Sequence, residues 1–575
     1  MERIARWVPG ITVVRTYEKD WFRKDFVAAL VLTALLVPQG MAYAELAGLP
    51  AVTGLYTTVA ALIGYAIFGP SRIMVLGPDS SLAPVIAAII APLVIGDSPA
   101  EAVALAGMLA ILAGLIEILV GVAKLGTVTD LLSMPVRIGY LNGIALLVLV
   151  SQLPKLFGFS TDGDDFISDI VEFVRGVAEG ETVVASLLLG GGAIVVMLVG
   201  RRLAPHIPWV LIAVIVSIAV VAVFDLADEG VSVVGVLPSG FPSPAFPSVP
   251  MDDLGPLIAG ALAIAIISVA DTAALSRSFS AKRGERVDQN HEAVGLGAAN
   301  IAAGLFQGFP MSASSSRTVV AASVGSKTQL TGVLSALAII VLLVGANSLL
   351  ADLPSSVLAA VVIVASFGLF DLATLRWLAR VRRTDFLASV IAMLGVVLVG
   401  VLEGLLIAIG VSLAVFVWKR WRPYTAVLGR VADTKGYHDT ERHPDAYLVP
   451  NLLLFRFDAP LFFANAAFFE EQLGEAIDAT PGGVRRVVIA AEPISDIDST
   501  GAEMLQILLD DLDARGIEFA FAELKGPVKD RLRSYGLYDR IGDEFFYPTL
   551  GAAVLSYADE TGVPRRDQGG EADDA

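Results

Sequence analysis

The sequence predicts a polytopic α-helical membrane protein with a small α/β domain at its C-terminal end. Three observations predict it. Of 575 residues, 55% are hydrophobic and 17% charged, and a mean hydropathy of +0.72 is too apolar for a soluble chain of that length. Apolar stretches of about 20 residues, the length that crosses hydrocarbon as a helix, recur from Phe26 to Trp418 with short interruptions. From Pro423 to Ala575 charge mixes with short apolar runs, the composition of one soluble domain.

The elements follow in chain order. Residues 1–25 carry Arg3, Arg6, Arg15, Lys19, Arg23 and Lys24 on an amphipathic, aromatic stretch with no cleavage site, which predicts a cytoplasmic lead-in rather than a signal peptide. Across residues 26–422 the expected spans are 26–42, 51–68, 82–95, 101–121, 130–152, 183–200, 207–224, 255–275, 291–306, 317–324, 329–349, 354–371, 385–402 and 404–418. The third and tenth are too short to cross about 30 Å of hydrocarbon, and each is opened by a Gly/Pro/Ser cluster. Basic residues fall on every second loop, at Arg72, Lys124, Arg201, Arg202, Arg277 to Arg286, Arg376 to Arg383 and Lys419 to Arg422, whereas Asp162, Asp164, Asp165, Asp225, Asp228, Asp252 and Asp253 mark the other side. Loops that stay in the cytoplasm keep Lys and Arg, so an even number of spans with both termini inside a prokaryotic inner membrane is expected. Residues 423–560 alternate strand-like runs (Leu452 to Phe457, Val487 to Ala490, Glu518 to Phe521) with helical ones (Ala466 to Ile477, Gly501 to Arg515, Val528 to Tyr535), a small α/β sandwich. Residues 561–575 read as a disordered acidic tail.

Composition also excludes functions. The chain has no cysteine, which removes disulfides, thiolate metal sites and Cys nucleophiles. Its net charge of −18 makes nucleic acid an unsuitable partner. With four histidines, and no nucleophile, base and orienting acid grouped on one loop system, an enzyme is not expected.

The chemistry concentrates where helices start inside the membrane. A free backbone group in hydrocarbon costs several kcal/mol, so such a start needs protein or a hydrated cavity around it. One start is Val75-Leu76-Gly77-Pro78-Asp79-Ser80-Ser81, and the other runs from Gly308 through Ser312, Ser314, Ser315, Ser316, Arg317 and Thr318. They occupy equivalent places in two halves of about seven spans. Facing helix N-termini with free N–H groups make an anion site, to which Ser81, Ser316 and Thr318 add hydroxyls and Arg317 a full charge; the alternative is a pair of surface loops. Asp271 lies in an apolar run and needs a job or a partner, with nearby Arg277 as the plain candidate. Glu117 and Glu403 are weaker cases, explained by snorkelling or a tight turn. Pro38-Gln39-Gly40-Met41 is expected to break the first span and offer carbonyls and an amide to a ligand, or to be a kink alone.

These residues resemble a family. Pro38-Gln39-Gly40-Met41-Ala42-Tyr43-Ala44-Glu45-Leu46-Ala47-Gly48-Leu49-Pro50 is similar to the signature of the sulfate permease (SulP) family, whose animal members form solute carrier family 26. Val287 to Glu292, Ser316-Arg317-Thr318, Gly325 to Gln329 and Leu353 to Ala360 fall where that family has counterparts. The C-terminal domain resembles a STAS domain through Asp496-Ile497-Asp498-Ser499-Thr500-Gly501, in which Thr500 matches the residue phosphorylated in signalling relatives; the plain alternative is a helix cap. The resemblance implies fourteen segments in two inverted repeats of seven, core and gate domains, homodimers, and no cofactor. It also implies a small-anion site at Gln39, Tyr43, Pro78, Asp79, Ser80, Ser81, Ser316, Arg317 and Thr318, with H+ or Na+ coupled at Asp271 and no resident metal. Asp79 departs from the family's uncharged pattern; it points away, takes a proton, or pairs with Arg317 or with Arg137. The expected function is secondary active transport of an oxyanion such as sulfate by alternating access. Bicarbonate or dicarboxylate transport, a passive anion channel, and an anion sensor signalling through a partner of the STAS domain are the alternatives.

Overall fold

In a computed structural model of the chain the described residues are 8–96, 98–125, 133–161, 163, 165–204, 207–283, 287–431 and 434–563, with side chains left out at 281–283. The acidic tail beyond Val563, the first seven residues, Asp162 and Asp164 lie outside them. The chain divides into two units, Met1–Ser412 and Leu413–Ala575.

The first unit is helical. After a short α1 (Pro9–Arg15) come α2 (Phe22–Leu46), α3 (Ala51–Phe68), α4 (Ala83–Ile90), α5 (Pro99–Val122), α6 (Met134–Phe157), α7 (Phe166–Glu179), α8 (Val184–Leu203), α9 (Trp209–Phe224) and α10 (Leu254–Arg283). They are followed by α11 (Gln289–Leu305), α12 (Ser315–Val324), α13 (Leu330–Gly345), α14 (Ser355–Ser366), α15 (Leu372–Val381), α16 (Arg383–Leu398) and α17 (Val401–Trp421). Each of the fourteen expected spans contains a helix, and among the described residues seven helices are long and apolar enough to cross a membrane by themselves. Local chemistry sets their ends. Ser98 caps α5 ahead of Pro99, Ser314 caps α12, and Gly158 and Gly325 close α6 and α12 in the left-handed conformation at φ 88° and 94°.

Packing sorts these helices into two groups. α2 to α5 and α10 to α13 pack on one another, while α6, α8, α9, α14 and α16 form the second group, with α9 and α14 touching α2. The tightest seam joins α5 and α11. A Cβ on Gly114 would sit 2.5 Å from Gly297 O, and one on Gly304 would sit 2.4 Å from Gly107 O. Backbones that close exclude any side chain, the small-residue packing of membrane helices.

Three expectations need correction. α2 runs unbroken through Pro38, and, two residues on, Gly40 lies against Gly54 of α3, so the helix is held through the proline by close packing. The basic run Arg376 to Arg383, read as loop, is mostly α15. The acidic segment before the sixth span holds α7, which exposes Ile167, Ile170, Val171 and Val174 at helical spacing. Both are amphipathic helices too polar to register as spans.

The second unit carries a six-stranded sheet in the order β4-β3-β5-β6-β7-β8: β3 (Thr425–Arg430), β4 (Tyr437–Asp439), β5 (Leu452–Phe457), β6 (Arg486–Ala490), β7 (Glu518–Ala522) and β8 (Phe546–Tyr547). β5 to β8 are parallel, and β3 is antiparallel to both β4 and β5. Alternation splits the core in two. Leu453, Phe455 and Phe457 face α18 (Ala466–Ala479) and α19 (Ser499–Ala514), while Leu452 and Leu454 join Ala553 and Tyr557 of α22 (Leu550–Thr561) on the other side. The helices α20 (Gly526–Ser534) and α21 (Leu537–Ile541) complete the first layer.

Candidate functional site

The two polar clusters meet. β1 (Leu76–Gly77) pairs antiparallel with β2 (Ser312–Ala313), Leu76 opposite Ala313 and Gly77 opposite Ser312. α4 and α12 start just beyond this pair, so two helices of 8 and 10 residues leave one buried crossing. Further bonds fix it: Ser314 N donates to Val75 O at 3.0 Å, and Val75 N donates to Thr318 Oγ1 at 3.1 Å.

Arg317 is the centre of the crossing. It is 2% exposed, and its Nη2 donates to Pro78 O at 2.6 Å and Gly77 O at 3.3 Å. Its Nε and Nη1 are buried without a protein partner, as is Ser312 Oγ beside it on β2. Buried donors are nearly always satisfied. A cation with two idle N–H positions and no carboxylate in its hydrogen-bond shell is therefore built to take an acceptor. Gly77, at φ 153°, permits the approach, since a Cβ there would stand 3.0 Å from Arg317 Nη1.

The expected hydroxyls do other work. Ser81 donates its N–H (2.9 Å) and its hydroxyl (2.6 Å) to Asp79 Oδ1, so Asp79 holds the turn before α4 rather than pairing with an arginine. Thr318 is committed to Val75, while Ser316 is exposed and hydrogen-bonded at 3.3 Å to Ser314. Ser80 is buried close to the Tyr43 hydroxyl. Tyr43, 5% exposed on α2, lies within electrostatic reach of Asp79 and Arg317, and half-buried Gln39 stands one turn before it.

Asp271 of α10 pairs with Arg137 of α6 at 3.5 Å, with side chains 22% and 40% exposed. Arg137 is thus the partner of Asp271, not of Asp79, and Asp271 does not use Arg277 in the way its spacing suggested. One turn after Arg137, Tyr140 is 2% exposed, electrostatically coupled to Asp271, and its hydroxyl has no protein partner. The next residue after Asp271, Thr272, also carries a buried, unpartnered hydroxyl.

The snorkelling expectation for Glu117 fails. Its side chain is fully buried, accepting from Ser268 Oγ at 2.5 Å and Asn300 Nδ2 at 2.8 Å. Asn300 Oδ1 in turn accepts from Met311 N at 2.9 Å. Glu117 therefore orients the strand that leads into β2. A signal was present, since an acid and an asparagine inside small-residue helices both need partners, but the pairing spans 183 positions and periodicity cannot supply it. Ser312 was legible as part of its polar cluster but not as an idle donor, and Tyr140 was missed, because nothing in their local sequence marks an idle donor. Glu403, by contrast, is exposed in the first turn of α17.

In the second unit Asp498 accepts from Gly501 N at 2.8 Å and Phe463 N at 2.9 Å, capping α19 and tying it to the segment between β5 and α18. Thr500 is exposed beside this cap.

Residues 22–392 match the family model described as the sulfate permease family, and residues 443–553 match the STAS domain. A Mycobacterium tuberculosis protein described as a probable sulfate transporter is 40% identical over 96% of this chain and 98% of its own. The chloroplastic sulfate transporter 4.1 of Arabidopsis thaliana is 29% identical over 96% of this chain and 83% of its own. Among solved structures, the murine solute carrier 26 family member A9 anion transporter, in its inward-facing state, superposes with a TM-score of 0.89 at 22% identity, covering 97% of this chain and 95% of that one. That likeness is one of fold.

Proposed function

Because this chain belongs to the sulfate permease family, we propose that it is a secondary active carrier for a small oxyanion, sulfate first, working by alternating access with H+ coupled at Asp271. The observation that carries this is Arg317, a buried cation with two idle N–H positions where two short helices cross. A tetrahedral oxyanion matches the planar fork of a guanidinium better than it matches a point charge. The names of the relatives support sulfate as the first anion to try.

H+ is preferred to Na+ because the Asp271 carboxylate faces a guanidinium at 3.5 Å, a poor neighbour for a metal cation. The packing supports alternating access, since α6 and α10 belong to different helix groups and the crossing lies within one of them. Movement of one group past the other exposes a fixed site first to one side and then to the other. The distribution of basic loops supports an inner-membrane orientation with both termini in the cytoplasm. Homodimer formation and a regulatory partner at the STAS domain, with Thr500 as its modification point, belong to the same proposal.

The test is uptake of labelled sulfate by purified protein in liposomes. An imposed inward proton gradient is expected to drive accumulation, and Asp271→Asn to abolish the dependence on that gradient. Uptake that only follows the anion gradient makes the protein a channel, and competition by bicarbonate or a dicarboxylate, but not by sulfate, moves the substrate.

A further inference from the structure

The ion pair between Arg137 and Asp271 joins two bodies. Arg137 sits on α6, which packs on α8, α14 and α16; Asp271 sits on α10, which packs on α4, α5, α11 and β2. Tyr140 presents a second donor from the same face of α6, buried and idle, within electrostatic reach of the same carboxylate. Asp271 is also coupled to Asp79, and Asp79 to Arg317. The Arg137–Asp271 pair is thus linked electrostatically, through Asp79, to the site that Arg317 occupies.

The other charged groups around α10 are committed elsewhere. Glu117 of α5 binds Ser268 and Asn300. Glu292 of α11 accepts from Tyr65, Ser71 and Ser276. Asp79 holds Ser81, and Arg317 holds Gly77 and Pro78. Asp271 and Arg137 pair with each other, with Asp79 and Tyr140 within electrostatic reach of the carboxylate.

We propose that Arg137 is the anion-binding residue contributed by the second helix group: a proton taken by Asp271 dissolves the ion pair, and the freed guanidinium, with the Tyr140 hydroxyl, closes on an oxyanion held from the other side by Arg317. This inference rests on the proposed function and deepens it. The carboxylate competes with the anion for one guanidinium, so proton and anion favour each other's binding without touching. In the same event a bridge through the cargo replaces the ionic latch between the two groups.

Binding can be tested apart from transport. Equilibrium binding of labelled sulfate to the purified full chain is measured at about pH 5.5 and about pH 8, where a coupling of this kind gives roughly a tenfold difference in affinity. The unaltered protein is expected to bind about tenfold more tightly at the lower pH. Arg137→Gln is expected to bind weakly at both, and Asp271→Asn to bind at the higher pH as tightly as the unaltered protein does at the lower. If Arg137→Gln keeps the acid-induced gain, or Asp271→Asn stays weak at the higher pH, the latch is overturned while proton-driven uptake by the unaltered protein still supports the proposed function. Should Arg137→Gln fail to fold, the Asp271→Asn comparison decides alone. No sulfate binding by the unaltered protein at either pH overturns both.

Discussion

Arg317 shows how one side chain is held and left free at once. Two backbone carbonyls fix its Nη2, which leaves Nε and Nη1 without a protein partner, the donors the proposal assigns to the anion. Lysine cannot do both, since it has no rigid fork. Arg317→Lys is expected to lower sulfate uptake at least about tenfold, and Arg317→Gln to abolish it, with Tm in detergent showing whether the crossing survives; losing a charge-assisted contact of this kind is worth about 1.5–3 kcal/mol. Asp25 is a second such point, with a structural purpose. Fully buried at the start of α2, it accepts from Lys327 N, Thr328 N, Thr328 Oγ1 and Thr331 Oγ1 at 2.7 to 3.2 Å, so it ties the first span to the chain after α12. Asp25→Ala leaves those donors unpaired, at about 1–3 kcal/mol for each that stays buried. A marked fall in Tm is the expected outcome, and an unchanged Tm refutes the tie.

Between elements, the decisive contact is the α5–α11 seam. Gly107, Gly114 and Gly121 recur every seven residues and face Gly304, Gly297 and Asn290 in the opposite order along α11. Because Asn300 of α11 and Glu117 of α5 sit on these same helices and steer the segment into β2, the seam also sets the position of the proposed anion site. Gly114→Leu is expected to part the helices, lower Tm and reduce sulfate affinity together, whereas the same change at Gly192, which has nothing within 4 Å of its Cβ position, should leave both unchanged. Loss of affinity without loss of stability would separate the seam from the site.

On the scale of the whole molecule the two units have separate cores, so their stabilities are expected to be separable. The C-terminal unit carries its own pH dependence. Hydrogen bonding to Arg486, which is buried against Glu518 and stacks on Phe545 and Tyr557, holds the Glu560 carboxyl below its ordinary range. A depressed carboxyl stabilises the fold fully above its unfolded pKa, and that stabilisation is lost as pH falls through the folded one. Acidification below the usual carboxylate range should therefore lower the Tm of this unit, and Glu560→Gln should flatten the loss. Removing Tyr424–Ala575 is expected to change the rate of sulfate uptake but not the affinity of the first unit for sulfate, as equilibrium binding would show.

Much of this was legible from residues alone. Hydropathy marked a helix for each of the fourteen stretches, and short strand-like apolar runs marked β5, β6 and β7, because burial on a lipid or core face leaves a local pattern. The polar clusters at Gly77 and Ser312 stood out for the same reason, since hydrocarbon tolerates such residues only for cause. What local pattern could not carry was partnership. That Asp79 holds Ser81, that Asp271 meets Arg137, that Glu117 steers β2 through Asn300, and that Arg317 rather than the flanking hydroxyls is left idle, depends on groups up to 240 positions apart. Sequence determined which residues must be satisfied or shielded from lipid; only the tertiary structure decided which of them satisfy each other, because hydrogen bonds and ion pairs reach a few ångströms in space whatever their separation along the chain.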